Sequence, residues 1–325
     1  MPRGDRSGSE NPRVGYLAVC FAPDEQHATE ELENRFDAGM LTLGYDATNT
    51  TFDYKYAGWN KNTLDDYATS LAGGAEAVDV IVTVDSLALE AAMAAYDAQA
   101  GPYKTPVIMA ICGDLSESWH QGKSRGRSNH AKHDIKHRLD LLRAIDSSIG
   151  TIAILYNQYD KSASEQKDEA YDLILKVGLS AVVFPASSTF GPVAGDVGAA
   201  ATAALAAADA MIVMADPLVS RFRCKIVAAA SAVCKPVIYP HMDFVIAGGL
   251  ISYGPNRYTL MDSIPDYVDD ALTGTGKKPS QNPTKKWLVI STIACPEIDV
   301  PDELLEEADI VFTSDNPPPD NARLL

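Results

Sequence analysis

VDVIVTVDSLALEAAMAAYDAQAGPYKTPVIMAICG, residues 78–113, reads as one strand–helix–strand unit. VDVIVTV (78–84) is a continuous apolar run of strand length, Leu87 to Gln99 has helical patterning, and PVIMAICG (106–113) is a second apolar run. Strands without alternation are covered on both faces, and a helix joining two of them makes the pair parallel. The same grammar extends outward. VGYLAVCF (14–21) leads to a helix from Glu25 to Leu43, with Leu32, Phe36 and Met40 spaced four apart and Gly44 at its end. TTFDYKYA (50–57) is a strand by its β-branched and aromatic content, and Leu64 to Leu71 is helical. A second series follows. It runs through a helix at His130–Ile145, TIAILYN (151–157), a helix at Ser164–Lys176, and AVVFPA (181–186). It continues with a helix at Val197–Ala208, AMIVMAD (210–216), one helix at Val219–Val233, and PVIYP (236–240). The predicted fold class is α/β, with two doubly wound, Rossmann-like lobes.

A chain of 325 residues is comfortable for two cores. Hydrophobic residues at 46% and a formal charge of −17 describe an acidic globular protein. Such a surface repels phosphate backbones and anionic lipid, so nucleic acid and membrane surfaces are poor partners. No run reaches the ~18 apolar residues of a membrane span. The N-terminal MPRGDRSGSENPR is polar, and residues 1–12 are expected to be a disordered tail. LAVC (17–20) is similar to a lipoprotein processing box, but Val19 is too large before the cysteine, and a first strand is the better reading. Either an export signal has been removed, for a periplasmic or extracellular protein, or the chain is cytoplasmic. Cys20, Cys112, Cys224, Cys234 and Cys295 include no CxxC pair, which argues against a disulfide framework or zinc knuckle. A bridge between Cys224 and Cys234 is left open.

In parallel sheets, ligands bind beyond the carboxyl ends of the strands, at the point where strand order reverses. This rule selects the loops Ala22–His27, Gly58–Asn60, Asp85–Ser86, Gly113–Glu117, Asn157–Ser162, Ser187–Phe190, Asp216–Val219 and His241–Asp243. The candidate ligand-binding residues are Phe21, Asp24, Trp59, Asp85, Ser86, Asp114, Tyr156, Asn157, Asp216, His241 and Tyr253. Asp216 either faces a ligand ammonium or caps the helix beginning near Leu218. Ser86, with the N–H groups after it, either holds a ligand carboxylate or caps a helix. Asn157 offers a donor and acceptors, and Tyr156 an aromatic wall. Tyr253 lies near an expected turn. His130, His133 and His137 share one helix face, a spacing that can bind Zn²⁺ or Ni²⁺. No carboxylate or cysteine joins them at a metal spacing, so a solvated face is preferred and no metal or other cofactor is assigned. GxSxG, Walker, HExxH and leading GxGxxG motifs are absent, and no catalytic set can be named, so the chain reads as a binder and not an enzyme.

PVIYPHMDFVIAGGLISYGPN (236–256) resembles the signature of a family of ABC transporter substrate-binding proteins: a strand, an aromatic loop, Phe-Val, Ala-Gly-Gly-Leu and Ser-Tyr-Gly-Pro. YVDDALTGTGKKPSQNPTKKWLVISTIA (267–294) and IDVPDELLEEADIVF (298–312) look like that family's helix, turn, closing strand and tail. FDAGMLTLGYD (36–46), TPVIMAICGD (105–114) and MADPLVSRFR (214–223) are similar in register, so the resemblance covers roughly 13–312. It implies the type I periplasmic-binding architecture, with a ligand cleft between lobes joined by three crossovers. One lobe then takes 13–118 plus 243–275, and the other 119–242 plus 276–325. For some members it implies aromatic or branched amino acids as ligands. The chain departs from the family pattern at Val84-Asp85-Ser86, at Gly113-Asp114-Leu115-Ser116, and at GKSRGRSNHAKH (122–133).

The function this implies is capture of a small polar solute by hinge closure, as the binding component of an ABC-type uptake system. The partners are the solute and, if the chain is exported, an ABC permease, with a monomer expected. The alternatives are a cytoplasmic ligand sensor, a small-metabolite enzyme on the same fold, and a metal binder using the three histidines.

Overall fold

The computed structural model describes residues 11–20, 30–73, 76–100, 103–111, 124–126, 134–191, 196–274 and 285–319. The chain divides into two compact units, Met1–Asn129 with Arg257–Pro283, and His130–Asn256 with Thr284–Leu325.

The first unit opens with β1 (Arg13–Ala18), α1 (Glu30–Thr42), β2 (Thr51–Tyr56), α2 (Lys61–Gly73), β3 (Val80–Thr83), α3 (Ser86–Ala98), β4 (Val107–Met109) and β5 (Ser124–Gly126). Its sheet has the order β2-β1-β3-β4-β5 and is parallel throughout. The four-residue spacing on α1 does the packing: Leu32, Phe36 and Met40 are all buried. The Phe36 ring lies 5.6 Å from Tyr16 and 6.4 Å from Phe52. The polar β5, Ser-Arg-Gly, carries no apolar period and was invisible to pattern reasoning.

The second unit begins with α4 (Asp134–Ile145), β6 (Thr151–Tyr156), α5 (Lys161–Lys176), β7 (Ser180–Pro185), α6 (Asp196–Ala207) and β8 (Ala210–Val213). It continues with α7 (Pro217–Arg221), α8 (Arg223–Ser231), β9 (Val237–Tyr239), α9 (Met242–Ile246) and β10 (Ile251–Gly254). The chain then returns to the first unit for α10 (Arg257–Met261) and α11 (Ile264–Leu272). These dock on α1 through Arg35, whose Nη1 donates to both Asp262 oxygens at 3.0 and 3.1 Å, while the Tyr45 hydroxyl donates to Asp269 at 2.7 Å. It ends in the second unit with β11 (Trp287–Ser291), α12 (Asp302–Glu307) and β12 (Ile310–Phe312). The second sheet has the order β12-β11-β10-β9-β8-β6-β7, antiparallel only between β10 and β11. One face buries Ile152, Ile154, Ile212, Ile238, Leu288 and Ile290 with residues of α4 and α5. Val289 points to the opposite face, with Val245 and Phe312, as strand alternation requires.

Four expectations are corrected. Residues 119–129 and 276–283, expected in the second unit, fall in the first, where β5 pairs with β4; residues 243–256 belong to the second unit, because α9 and β10 follow β9 directly and β10 is hydrogen-bonded between β9 and β11. For the same reason Tyr253 lies inside a strand and not in a turn. The helix expected at 219–233 is two helices. Buried Arg223 donates to the Ser220 carbonyl at 3.1 Å, the group a continuous helix would offer to the Cys224 N–H, and Phe222 leaves helical geometry at φ −101°, ψ 21°. Cys234 pairs with Cys295, with Cα atoms 5.6 Å apart. Cys224 sits on the exposed surface of α8. Ten residues of largely helical chain separate it from Cys234, roughly 15 Å at 1.5 Å per residue, too far for a disulfide.

Gly254 lets β10 pass close to the end of β9. A Cβ there would stand 2.0 Å from the Pro240 carbonyl oxygen, whereas a Cβ on Gly73 at the end of α2 would meet nothing within 4 Å. Gly254→Ala is expected to destabilise the protein by about 1–3 kcal/mol and Gly73→Ala to be neutral or slightly stabilising. Urea unfolding of the two variants checks this.

Candidate functional site

In the first sheet β1 lies between β2 and β3, and in the second β6 lies between β7 and β8, so each sheet reverses its strand order beside these strands. An aspartate follows the strand next to each reversal: Asp85 after β3 and Asp216 after β8. Both are buried, at 6% and 5% exposure, and both cap the helix that follows.

They differ in what their oxygens do. Asp85 Oδ1 accepts from the Ala88 N–H at 2.7 Å and Oδ2 from the Val19 N–H at 2.8 Å. The carboxylate therefore ties the end of β1 to the start of α3, and each oxygen already holds a backbone donor. Asp216 Oδ1 takes both cap donors, Leu218 N–H at 2.6 Å and Val219 N–H at 3.0 Å. Its Oδ2 is buried with no hydrogen-bond partner among the described residues. The Asn157 side chain, 1% exposed, accepts from the Tyr159 N–H at 3.0 Å through Oδ1 and leaves its Nδ2 without a partner. Asn157 lies close enough to help hold charge on Asp216, although no bond to Oδ2 meets hydrogen-bond geometry.

Burial drives both carboxyls upward, because a low-dielectric setting disfavours the charged form. Asp85 rises to about 6, against the pull of the Val19, Ala88 and Leu87 N–H groups. Asp216 rises to about 7, with the Val219, Leu218 and Asn157 groups pulling the other way.

Gln166 was missed by sequence reasoning. Its Nε2 donates to the Ala215 carbonyl at 3.1 Å and its Oε1 accepts from the Ala215 N–H at 3.0 Å. This two-way clamp fixes the residue immediately before Asp216. The signal was present: Gln166 occupies the buried stripe of α5 with Ala163, Ala170 and Ile174, a polar residue on an apolar period.

Trp59 follows Gly58, and both have positive φ, 58° and 57°. The turn brings the Trp59 N–H to the Val19 carbonyl at 2.7 Å and buries the indole, whose Nε1 has no partner among the described residues. Ser86 is the first residue of α3 and half-buried. Tyr156 packs on the core of the second unit with Lys167 Nζ 5.6 Å from its ring centroid. His241 is buried at the start of α9, and its side chain makes no cap bond. The Tyr253 ring lies 4.3 Å from that of His137, on the face covered by α4. Phe21, Asp24, Asp114, His130 and His133 lie outside the described residues, as does most of the 1–12 tail.

Residues 22–311 match the family described as ABC transporter substrate binding protein. The chain belongs to that family. Among solved structures, a conserved domain protein from Vibrio cholerae O1 biovar El Tor is similar, at 21% identity and TM-score 0.79, covering 93% of this chain and 100% of that one. An ABC domain in complex with L-Trp from Streptococcus pneumoniae gives 20% identity and TM-score 0.78, with coverage of 93% and 100%. An ABC transporter solute-binding protein from Agrobacterium vitis with bound allitol gives 14% identity and TM-score 0.62, with coverage of 87% and 96%. The fold of this chain is the type I periplasmic-binding architecture. No curated protein matches the chain. Among the described residues, no helix is long and apolar enough to cross a membrane.

The raised Asp216 carboxyl sets the sign of a pH effect. Its native pKa of about 7 exceeds the ordinary 3.8, so the folded state binds more protons between those values. The stability contribution is complete below the lower value and is lost as pH rises through about 7. Asp216→Asn keeps a capping oxygen and removes the titration. The stability of the native protein relative to Asp216→Asn is expected to fall between about pH 4 and about pH 7.5, as read by thermal unfolding across that range.

Proposed function

We propose that this family member captures a small solute bearing an ammonium group, an L-amino acid being the first choice, and delivers it to an ABC permease after the two units close on it. The observation that carries this reading is the half-used carboxylate of Asp216. A buried acid with one uncommitted oxygen, poised near neutrality, is stabilised in its charged form by a cation that donates a hydrogen bond. The neighbouring Asn157 Nδ2 supplies a donor for an oxygen of the same ligand, which suits a zwitterion. Trp59, with a buried indole and an uncommitted N–H, offers an aromatic wall from the first unit. A neutral polyol would leave the Asp216 charge uncompensated, so it is the less favoured ligand.

Contacts from both units would favour the closed state, since a ligand shifts an equilibrium only by its differential affinity for the two forms. Ser86 and the α3 N-terminus are the proposed receivers of a ligand carboxylate in the first unit. Asp85, Tyr156, His241 and Tyr253 support the walls and loops around them. Export followed by work outside the cytoplasm, as a monomer, completes the proposal.

Native mass spectrometry of the purified protein, then calorimetry with L-amino acids, allitol and myo-inositol, tests it. A stoichiometric amino acid is expected. Asp216→Asn should weaken its binding by roughly 10- to 150-fold, the equivalent of one charge-assisted hydrogen bond of about 1.5–3 kcal/mol. Affinity should also fall as pH drops through about 7, where Asp216 gains its proton. Tight polyol binding that Asp216→Asn leaves unchanged would overturn the ammonium site.

A further inference from the structure

Cys234, Cys295 and Glu297 form a compact group in the second unit, just before β9 and after β11. Cys234 ends the turn after α8 in the left-handed region, at φ 44°, and Cys295 lies in the turn after β11. Their sulfurs are joined as a disulfide, and Glu297 Oε2 stands 2.9 Å from Cys234 Sγ and 3.8 Å from Cys295 Sγ. One ligand atom from each residue lies within 4.8 Å of the others. A disulfide sulfur has no proton to offer a carboxylate at that distance. A thiol has one, and two thiolates with a carboxylate make a donor set for a metal ion.

We propose that the reduced pair, together with Glu297, is a site for a thiophilic divalent cation of the zinc class, opened and closed by the redox state of the two cysteines. A dithiol or phosphine reductant supplies the two electrons, and two protons from solvent complete the thiols. Zinc then displaces both thiol protons and accepts the two thiolates and the carboxylate, giving a site of net charge −1. Tetrahedral zinc with Zn–S of ~2.3 Å places its two sulfurs ~3.8 Å apart, so the sulfurs need only separate as their bond breaks. The Cα spacing of 5.6 Å allows this without moving the backbone far. Two thiolates and a carboxylate leave a fourth position for water, and Glu297 is exposed. Cys295 is 5% exposed and lines a shallow pocket with Ser231, Lys235 and Ala294, while Cys234 is only half-buried and gives a reductant its approach. The Lys235 ammonium on that wall is pinned to the Leu205 and Ala208 carbonyls at 2.7 and 2.8 Å, at the end of α6.

Full-length protein, oxidised or reduced with a phosphine, is incubated with zinc sulfate, desalted and weighed by native mass spectrometry. Cobalt(II) in place of zinc reports thiolate ligation by its charge-transfer absorption. One retained zinc in the reduced protein and none in the oxidised protein is expected, with the cobalt band present only after reduction. Cys234→Ser and Cys295→Ser should each abolish retention, and Cys224→Ser should leave it intact. Glu297→Gln should weaken zinc by at least about tenfold, since even groups behind the ligands contribute ~10–100-fold. Reduced protein that retains no zinc overturns the site, as does retention unchanged in both Cys234→Ser and Cys295→Ser. A pair that thiol titration shows still closed under reductant overturns it as well. None of these readouts depends on the transported solute.

Discussion

A parallel sheet buried on both faces can present polar chemistry only along its edges, and the carboxyl edge is where helix N-termini gather. Each crossover helix begins there with N–H groups that lack partners, so a buried acceptor is required wherever water is kept out. In both units the structure meets this need with an aspartate directly after the strand beside the reversal of strand order. Asp85 and Asp216 thus occupy matching places in two separate sheets. The loops at these strand ends are organised around the two caps.

The caps diverge because of what else approaches them. The end of β1 donates the Val19 N–H to Asp85, so that carboxylate becomes a tie within the first unit. In the second unit the residue before Asp216 is instead held by the amide of Gln166, which satisfies the Ala215 backbone in both directions. The burden of holding the loop thereby moves from the acid to the amide. Asp216 keeps one buried oxygen uncommitted, with its carboxyl raised toward neutrality by desolvation. The same burial that destabilises the free carboxylate is what makes an arriving cation favourable. Membership of the substrate-binding family says nothing of a ligand's charge, and the proposal of an ammonium rests on this half-used acid alone.

Much of the architecture was legible along the chain, and the misreadings have local causes. The apolar runs at 78–84, 151–157 and 210–216 contain β3, β6 and β8, because a strand covered on both faces leaves no choice but continuous hydrophobicity. The helix at 219–233 broke because a side chain, Arg223, took a carbonyl the helix needed, and periodicity does not register such competition. At the candidate site, loop positions followed from strand order: Asn157 follows β6, Asp216 lies after β8 and Trp59 in the turn after β2. Whether Asp216 capped a helix or faced a ligand was posed as a choice, and the structure gives one oxygen to the cap and leaves the other.

By itself, the sequence determined the alternation of buried strands and crossover helices, the two-series organisation and the family signature at 236–256, because each is carried by neighbouring residues whose period or order the chain dictates. Only the tertiary structure decided the pairing of Cys234 with Cys295 across 61 residues and the clamp of Gln166 on Ala215 across 49. It also decided the assignment of β10 to the second sheet and the different use of two aspartates that look alike in sequence. Those outcomes depend on which distant groups packing brings within hydrogen-bonding reach. A hydrogen bond is satisfied by whichever partner arrives, and local sequence does not name it.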